Sequence, residues 1–205
     1  MSLLRLDHLA VACGVLAEGV AVVEATLGVP MAAGGEHLAF GTHNRLLSLG
    51  PDEYLEVIAV NPAAPPPGRA RWFDLDRFAG APRLTNWVAG CDDMTAALAA
   101  SPPGAGVPMD LARGDFRWTM AVPGDGVLPF DGAFPALIRW HGAAHPAPRL
   151  ADHGIRLQAL TLMHPQAGAL RAALAGVIDD PRLTILAGPV GLSARFSTPT
   201  GDRHL

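Results

Sequence analysis

The sequence predicts an α+β fold made of repeated βαβββ modules whose sheets mix parallel and antiparallel strands. Three segments begin alike with Arg-Leu and continue as apolar, strand-like runs, namely RLDHLAVAC from Arg5, RLTNWVAGC from Arg83 and RLQALTLMH from Arg156. A stretch rich in Ala and Leu, typical of a helix, follows each of them. Further strand-like runs come next at hairpin-length gaps, which indicates mixed sheets rather than a purely parallel one.

The first copy contains one strand, one helix and then three strands. The strands are expected at residues 5–13, 37–40, 45–49 and 54–60, and the helix at residues 16–27. Glycine and polar residues at 34–35 and at 41–44 predict turns before and between these strands. We therefore assign residues 1–62 to a first βαβββ module.

The second and third copies follow the same order, and the third is shorter. Strands are expected at 83–91, 115–122 and 136–140 with a helix at 94–100, and then at 156–164, 183–187 and 192–197 with a helix at 167–178. By comparison with the first copy, we assign residues 83–148 to a second βαβββ module and residues 149–205 to a partial third βαββ module. The linker, residues 63–82, starts rich in proline, and its later aromatic residues predict a flap that packs back on the fold.

Charge and cysteine content exclude several classes of function. The formal net charge of −4 leaves no basic surface for nucleic acid. No apolar run reaches the ~20 residues that a membrane-spanning helix requires, and early charges argue against a secretory signal. Only two cysteines, Cys13 and Cys91, are present, so no disulfide framework is expected. The expected setting is the cytoplasm, with a small molecule as the partner.

Glu56 is the most informative polar residue of the first copy. It lies in YLEVIAV, where strand alternation gives it apolar neighbours on both faces. An unpaired carboxylate buried there costs several kcal/mol, so it needs a cation, a hydrogen-bond donor, a metal or a proton. A structural ion pair with Arg45 or Arg139 is one solution, and a functional site is the other.

His8 raises the same question in the first strand. Alternation places Leu6, His8 and Ala10 on one face, and we expect that face to share a concavity with Glu56. A histidine and a carboxylate that converge in this way suit Zn²⁺, Fe²⁺ or Mn²⁺. The alternative is a core histidine whose hydrogen bonds are satisfied within the fold.

The segment GGEHLAFGTHNRLLSLG carries three polar residues in an otherwise apolar hairpin. These are His37, His43 and Asn44. Asn44 is a residue that closes turns by bonding its own backbone. The alternative is that His43 and Asn44 line the mouth of a site and hold a polar group of a substrate.

Short sequence segments along nearly the whole chain are typical of one family. They are LDHLAVA, LGV, GGEHLAFGTHNRLLSLG and YLEVIAVNP in the first half, and RWFDLD, LTNWVAG, FRWTMAVP and FPALIRWHGAAHP in the second. These segments resemble those of the glyoxalase-like branch of the vicinal oxygen chelate superfamily. This superfamily includes glyoxalases, bleomycin-resistance proteins and dioxygenases. The resemblance implies that the modules curl into a curved mixed-sheet cup that binds a small oxygenated molecule.

The resemblance also implies a site for one divalent metal, Zn, Fe, Mn or Ni, but only half of its ligands are present. His8 matches the first-strand ligand of the first module and Glu56 its last-strand ligand. The second module has Asn86 in place of His8 and offers no carboxylate in its last strand. Three alternatives stay open: water completes the shell, His141 substitutes, or the cup is metal-free and holds its ligand through side chains such as Asn86 and Arg139.

Three functions are compatible with these residues. One is a lyase, isomerase or dioxygenase-type enzyme that uses a metal, and another is a metal-free enzyme in which Glu56 orients His8 for acid–base chemistry. The third is a metal-free binding or sequestering protein of the bleomycin-resistance type, with Trp87 and Trp140 among the aromatic residues around the ligand. The superfamily's habit of module exchange adds a homodimer as an expectation. The candidate catalytic residues are His8, Glu56 and His43, and the candidate substrate contacts are Asn44, Asn86, Arg139, Trp118 and Phe40.

Overall fold

The computed structural model describes residues 3–205, so the first two residues of the predicted first module lie outside it. The described residues form one sheet of eight strands, in the order β2-β3-β4-β1-β5-β8-β7-β6, and a second sheet in the order β10-β9-β11-β12. The strands are β1 (Leu4–Ala12), β2 (Ala32–His37), β3 (Thr42–Ser48), β4 (Tyr54–Val60), β5 (Arg83–Cys91), β6 (Val107–Arg113), β7 (Phe116–Val122), β8 (Ala136–Trp140), β9 (Arg156–His164), β10 (Leu183–Ala187), β11 (Gly191–Thr198) and β12 (Gly201–His204). The helices are α1 (Leu16–Leu27), α2 (Met94–Ala99) and α3 (Ala167–Leu174). The α+β fold of curved mixed sheets predicted from the sequence is confirmed.

The first two copies meet at the centre of the larger sheet, where β1 and β5 pair antiparallel. Leu9 lies opposite Trp87, and the pairing slips by one residue on each side of this pair. At one of these register shifts Asp7 of β1 has no residue opposite it in β5. At the other shift Thr85 of β5 has no residue opposite it in β1. Asp7 and Thr85 hold the same place in their repeats, so both copies carry the same β-bulge.

The bulge at Asp7 changes which side chains share a face. Leu6 packs with Leu4 and Leu9 in the apolar core on one side of the sheet, whereas Ala10 belongs to the cluster on the other side. The expectation that Leu6 shares a face with His8 is therefore wrong. An extra residue in a strand reverses the alternation of side chains beyond it, and sequence alternation alone does not show where this happens.

The helices and the smaller sheet cover the outer face of the larger sheet. Val23 of α1, Leu160 of β9 and Phe196 of β11 lie in one continuous core with Trp87. Arg182 ties the C-terminal segment to the first copy through a two-bond ion pair with Glu53, at 2.6 and 2.8 Å. Within this segment β10 runs parallel to β9, and β12 adds a strand beyond the two that we predicted after the helix.

The linker between the first two copies returns across the inner face of the larger sheet. Trp72 and Phe73 in a short 3-10 turn, and Leu75 after it, are buried in the apolar cluster of that face. Phe73 and Asp74 have backbone φ angles of 58° and 55°, in the left-handed region that residues other than glycine seldom adopt. The flap is thus held in a strained conformation against the inner face.

Two local predictions from the sequence are wrong. The second strand covers Ala32–His37 rather than residues 37–40, and Gly34 lies within it because Asn44 of the next strand approaches too closely for any side chain there. Strand β6, Val107–Arg113, was missed because it is an edge strand interrupted by Pro108. No helix within residues 3–205 is both long and apolar enough to span a membrane.

Two helical glycines allow a matched test of this packing. A Cβ at Gly19 of α1 would lie 2.5 Å from Sγ of Cys13, whereas a Cβ at Gly168 of α3 would meet nothing within 4 Å. Gly19→Ala should therefore lower the free energy of unfolding by about 1–3 kcal/mol through overpacking. Gly168→Ala should raise it by about 0.5 kcal/mol. Urea denaturation measures both changes, and equal effects at the two positions would contradict the packing of α1.

Candidate functional site

The candidate site lies on the inner face of the larger sheet, under the flap. His8, Glu56, Asn44, Arg113 and Trp118 line a cavity of about 30 Å³, which Trp72 closes from the flap side. This volume holds one or two water molecules. The His8 and Glu56 side chains predicted to converge do so, because β1 and β4 are parallel neighbours in the sheet.

Asp7 fixes the orientation of His8. Oδ1 of Asp7 accepts a hydrogen bond of 2.6 Å from Nδ1 of His8, and the imidazole stacks on Tyr54 at 4.3 Å between ring centroids. Because an ionised carboxylate only accepts, the proton of a neutral His8 lies on Nδ1. Nε2 therefore carries the lone pair, and it lies on the Glu56 side of the ring.

Asp7 is a buried carboxylate with a full set of donors. Oδ2 accepts from Nε1 of Trp140 at 2.9 Å and from Nε2 of His145 at 3.3 Å. Nδ1 of His145 accepts from the backbone N–H of Ala147, which leaves the proton of this ring on the nitrogen facing Asp7. Burial would raise the pKa of Asp7, but the bonds from His145 and His8 hold it well below its usual value. The carboxylate is therefore ionised at neutral pH.

Glu56 is paired with an amide rather than with an arginine. Its Oε1 accepts a 2.6 Å bond from Nδ2 of Asn44, and its Oε2 lies 3.8 Å from Nε2 of His8. Oδ1 of Asn44 in turn accepts from the backbone N–H of Gly35 at 2.7 Å. The expected ion pair with Arg45 or Arg139 is not formed, and Asn44 orients the carboxylate instead of closing a turn.

Arg113, at the end of β6, brings a positive charge into the cavity from the second copy. Its Nη1 lies 3.2 Å from Nε2 of His37 and 3.3 Å from Oδ1 of Asn44. Burial and the charge of Arg113 lower the pKa of His37 to about 3, so His37 is neutral and accepts this bond. No carboxylate within residues 3–205 forms an ion pair with Arg113, which leaves its charge available to an anionic ligand.

Trp72 adds a donor that the fold leaves unused. Its ring stacks on Phe40 at 4.0 Å and meets His37 edge-on at 5.0 Å. Its Nε1 is buried and forms no hydrogen bond with residues 3–205. A buried N–H without an acceptor costs about 1–3 kcal/mol.

Three residues predicted for the site lie outside the cavity. His43 lies on the opposite face of β3, beside α1, where burial and Arg45 lower its pKa. Arg139 is exposed, and Nε2 of His141 lies 2.8 Å from the hydroxyl of Thr119, away from His8. Side chains alternate along strands, so the neighbours of inward-facing Asn44 and Ile138 face outward. His43 and Arg139 thus do not contact a ligand in this cavity, and His141 does not complete a metal shell there.

Two further predicted contacts lie on the inner face but not at His8. Phe40 is fully buried beneath Trp72 and supports the flap instead of lining the cavity. Asn86 opens into a separate, larger cavity on the other side of Phe73. Trp118 and Asn44 line the cavity at His8.

The donor set at His8 does not fit the usual protein shell of a divalent metal. Within residues 3–205 no group of three or more His, Cys, Asp or Glu side chains is close enough to hold one. His8 and Glu56 provide two ligands, Asn44 already occupies one oxygen of Glu56, and the cation of Arg113 faces the same space. Zn²⁺ sites normally have three or four protein ligands. We therefore derive no chemical step through a metal.

Sequence reasoning missed Asp7, Arg113 and His145. The dipeptide Asp7-His8 was the available clue for the first, but strict alternation sends neighbouring side chains to opposite faces. Arg113 lies on the strand that was missed, and His145 lies in the loop after β8. The resulting site has an oriented base, an anchored carboxylate, a free cation and an unused donor around one cavity.

Comparisons with known proteins agree with the architecture. The family model described as a glyoxalase-like domain matches residues 6–178. A hypothetical protein from Staphylococcus aureus, 13% identical, aligns with 91% of this chain and 87% of its own, with a TM-score of 0.62.

Weaker structural similarity extends to two epimerases. Methylmalonyl-CoA epimerase from Streptomyces coelicolor, solved as a variant with 2-nitronate-propionyl-CoA, is 19% identical over 70% of this chain and 100% of its own, with a TM-score of 0.44. The epimerase from Mycobacterium tuberculosis is 16% identical over 70% of this chain and 92% of its own, also at 0.44. No curated protein matches the sequence. At these identities the structural similarity concerns the fold alone.

Asp7→Asn tests the network that holds His8. Losing one partner of a buried charged network should lower the free energy of unfolding by roughly 3–5 kcal/mol. A carboxyl whose pKa falls on folding stabilises the fold above its unfolded pKa of about 3.9 and loses that effect as the pH drops further. The stability difference between wild type and variant should thus be constant above pH 5 and shrink below about pH 4.

Asp115→Asn is the control, because it removes an exposed carboxylate paired with Arg149. This change should affect stability far less. Denaturant unfolding followed across the pH range measures both variants. A difference at Asp7 that does not depend on pH would contradict an ionised, donor-surrounded carboxylate.

Proposed function

The chain belongs to the glyoxalase-like domain family of the vicinal oxygen chelate superfamily, and from this premise we propose that it is an enzyme that moves a proton at a carbon beside a carbonyl group of a small molecule. The observation that carries the proposal is the Asp7–His8 hydrogen bond. It leaves Nε2 of His8 as the atom that can take up a proton in the cavity. The reaction class is that of an isomerase or lyase.

The proton transfer is accounted for by groups around the cavity. Nε2 of His8 takes the proton from carbon, and the electron pair of the C–H bond moves to the carbonyl oxygen, which becomes an enolate. Arg113 and the N–H of Trp72 are the donors suited to that oxygen. Glu56, 3.8 Å from Nε2, and Asp7 stabilise the imidazolium that forms.

The outcome depends on where the proton returns. Delivery of the proton back to the same carbon on its other face, or to a neighbouring atom, is isomerisation. Departure of a leaving group from the next carbon is elimination, which a lyase catalyses. Trp118, Met120 and Ile138 form an apolar wall that keeps water from the enolate.

Access to the cavity requires movement of the flap. A volume of about 30 Å³ does not admit a carbonyl compound of several carbons. Trp72 and Phe73 lie in the linker segment and line the cavity, so this flap is the part that has to move. Closure over a bound substrate then excludes water from the reaction.

A second candidate function is binding without chemistry. The rings of Trp118 and Trp140, 5.5 Å apart, and that of Trp72 give the cavity aromatic walls that suit a sequestering protein. The oriented imidazole favours the enzyme, because a protein that only binds apolar molecules needs no buried Asp–His pair. Two variants separate these functions.

The experiment follows hydrogen exchange by proton NMR in D₂O. A panel of small 2-oxo and 2-hydroxy carboxylic acids and aldehydes is incubated with the chelator-treated protein, and loss of the signal of the proton beside the carbonyl is measured. We expect exchange that His8→Gln lowers by about 10²-fold or more. Arg113→Lys should weaken it clearly, because Lys lacks the fork of donors, whereas Arg117→Lys on the outer surface should not.

Each other outcome selects a different function. Compounds that raise the melting temperature through the cavity but show no exchange would favour the binding protein. Exchange that appears only after Zn²⁺, Fe²⁺, Mn²⁺ or Ni²⁺ is added would assign His8 and Glu56 to a metal. Exchange that survives His8→Gln would overturn the role of His8.

Two tryptophan variants test the unused donor. Trp72→Phe removes an N–H without a partner, and this gain offsets the packing lost with the smaller ring, so the free energy of unfolding should stay within about 1 kcal/mol. Trp140→Phe removes a donor to Asp7 and should cost about 1–3 kcal/mol. A ligand found in the exchange panel should bind Trp72→Phe about tenfold more weakly. Urea denaturation and calorimetric titration measure these effects, and equal losses of stability would contradict the orphan donor.

A further inference from the structure

A second cavity lies beside the second copy of the repeat. It has a volume of about 340 Å³ and is lined by the flap, by β5, by the segment 127–132 and by β11. Phe73 separates it from the cavity at His8, since this ring lines both. Volumes of ~300–1,000 Å³ are typical of small-molecule sites.

The residue after the bulge faces a cavity in both copies. In β1 the bulge lies at Asp7, and His8 after it lines the first cavity. In β5 the bulge lies at Thr85, and Asn86 after it lines the second cavity, as does Thr85 itself. The same backbone feature thus places an imidazole in one cavity and an amide in the other.

The polar groups of this pair have no partners in the fold. The side chain of Asn86 is 4% exposed and forms no hydrogen bond with residues 3–205, although it carries two donors and an acceptor. The hydroxyl oxygen of Thr85 is buried and also forms none. The Asn86 amide lines the cavity and lacks a partner in the fold, so water or a ligand there would satisfy it.

Charge and shape indicate which ligand fits. Arg83 lines the cavity, contacts only backbone carbonyl oxygens within residues 3–205 and stacks over Phe78 at 4.4 Å. The two carboxylates of the lining are engaged, Asp74 with Arg77 and Asp131 with His164. Asp131 keeps its negative charge when His164 is neutral, and Arg83 is the arginine of the lining that forms no ion pair within residues 3–205. Apolar side chains complete the wall: Phe73, Leu84, Leu128 and Leu192.

We propose that this cavity is a second binding site, which takes a small carboxylic acid with an apolar body. The carboxylate meets Arg83, and one of its oxygens accepts from the amide of Asn86. The apolar body lies against Phe73 and Leu128. The site holds neither the oriented base nor the paired carboxylate of the first cavity, so it binds without catalysis and stands independently of the function proposed for His8.

Benzoate is the probe, because it has a carboxylate, an apolar ring and no hydrogen on the carbon beside the carboxyl carbon to exchange. Benzamide, which has the same shape and no charge, is the matched control ligand. Titration by calorimetry and by shifts of amide signals in NMR should show saturable binding of benzoate, with the shifts at Thr85, Asn86 and Gly132. Benzamide should bind at least about tenfold more weakly, as expected for the loss of a charge-assisted bond.

Variants locate the binding. Asn86→Leu and Arg83→Gln should each weaken benzoate binding by about tenfold, whereas His8→Gln should leave it unchanged. Asn86→Leu should also keep the melting temperature of wild type, because the amide that it removes has no partner in the fold. Retained folding together with lost binding distinguishes a site from a structural role.

The proposal is overturned by three results. Absence of saturable benzoate binding means that water fills the cavity. Binding that His8→Gln abolishes and Asn86→Leu spares places the acid in the first cavity. Equal binding of benzamide removes the assignment of Arg83 as the anion anchor. None of these results bears on proton exchange at His8.

Discussion

The buried carboxylate of Asp7 organises the inner face of the sheet. It receives hydrogen bonds from His8, Trp140 and His145, which come from the first strand, the last strand of the second copy and the loop that follows it. An ionised carboxylate is tolerated in a protein interior only where donors surround it. Its charge therefore requires these three parts of the chain to meet in one arrangement. The tautomer of His8, its position beside Glu56 and the closure of the loop over Tyr54 all follow from that requirement.

The two bulges show how a duplicated backbone has served two chemistries. Each bulge places two successive side chains where a regular strand would place one, so a residue that faces a cavity has a polar neighbour beside it. In the first copy Asp7 accepts hydrogen bonds from side chains of other parts of the chain. In the second copy the hydroxyl of Thr85 forms no hydrogen bond within residues 3–205. The half-complete set of family ligands in the sequence reflects this difference, because Asn86 belongs to a cavity of its own rather than to a shell shared with His8.

The sequence was sufficient for the family, the fold class and the convergence of His8 with Glu56, because these depend on strand order and on the cost of a buried charge. It was insufficient where the period of alternation breaks. The bulge at Asp7 moved Leu6 to the other face and brought Asp7 to the ring of His8, and no local pattern marks a bulge. His43 was chosen over His37 because the turn was placed three residues late. Arg113 was missed because it lies on the edge strand β6, and an edge strand can form with few apolar residues to mark it in the sequence.

Phe73 gives the two cavities a common wall. The ring lines both of them, and its backbone is held at a φ of 58° that it would not choose in a free chain. Each cavity therefore has one wall whose backbone already lies in an unfavourable conformation, and a substitution of Phe73 would change the shape of both cavities at once.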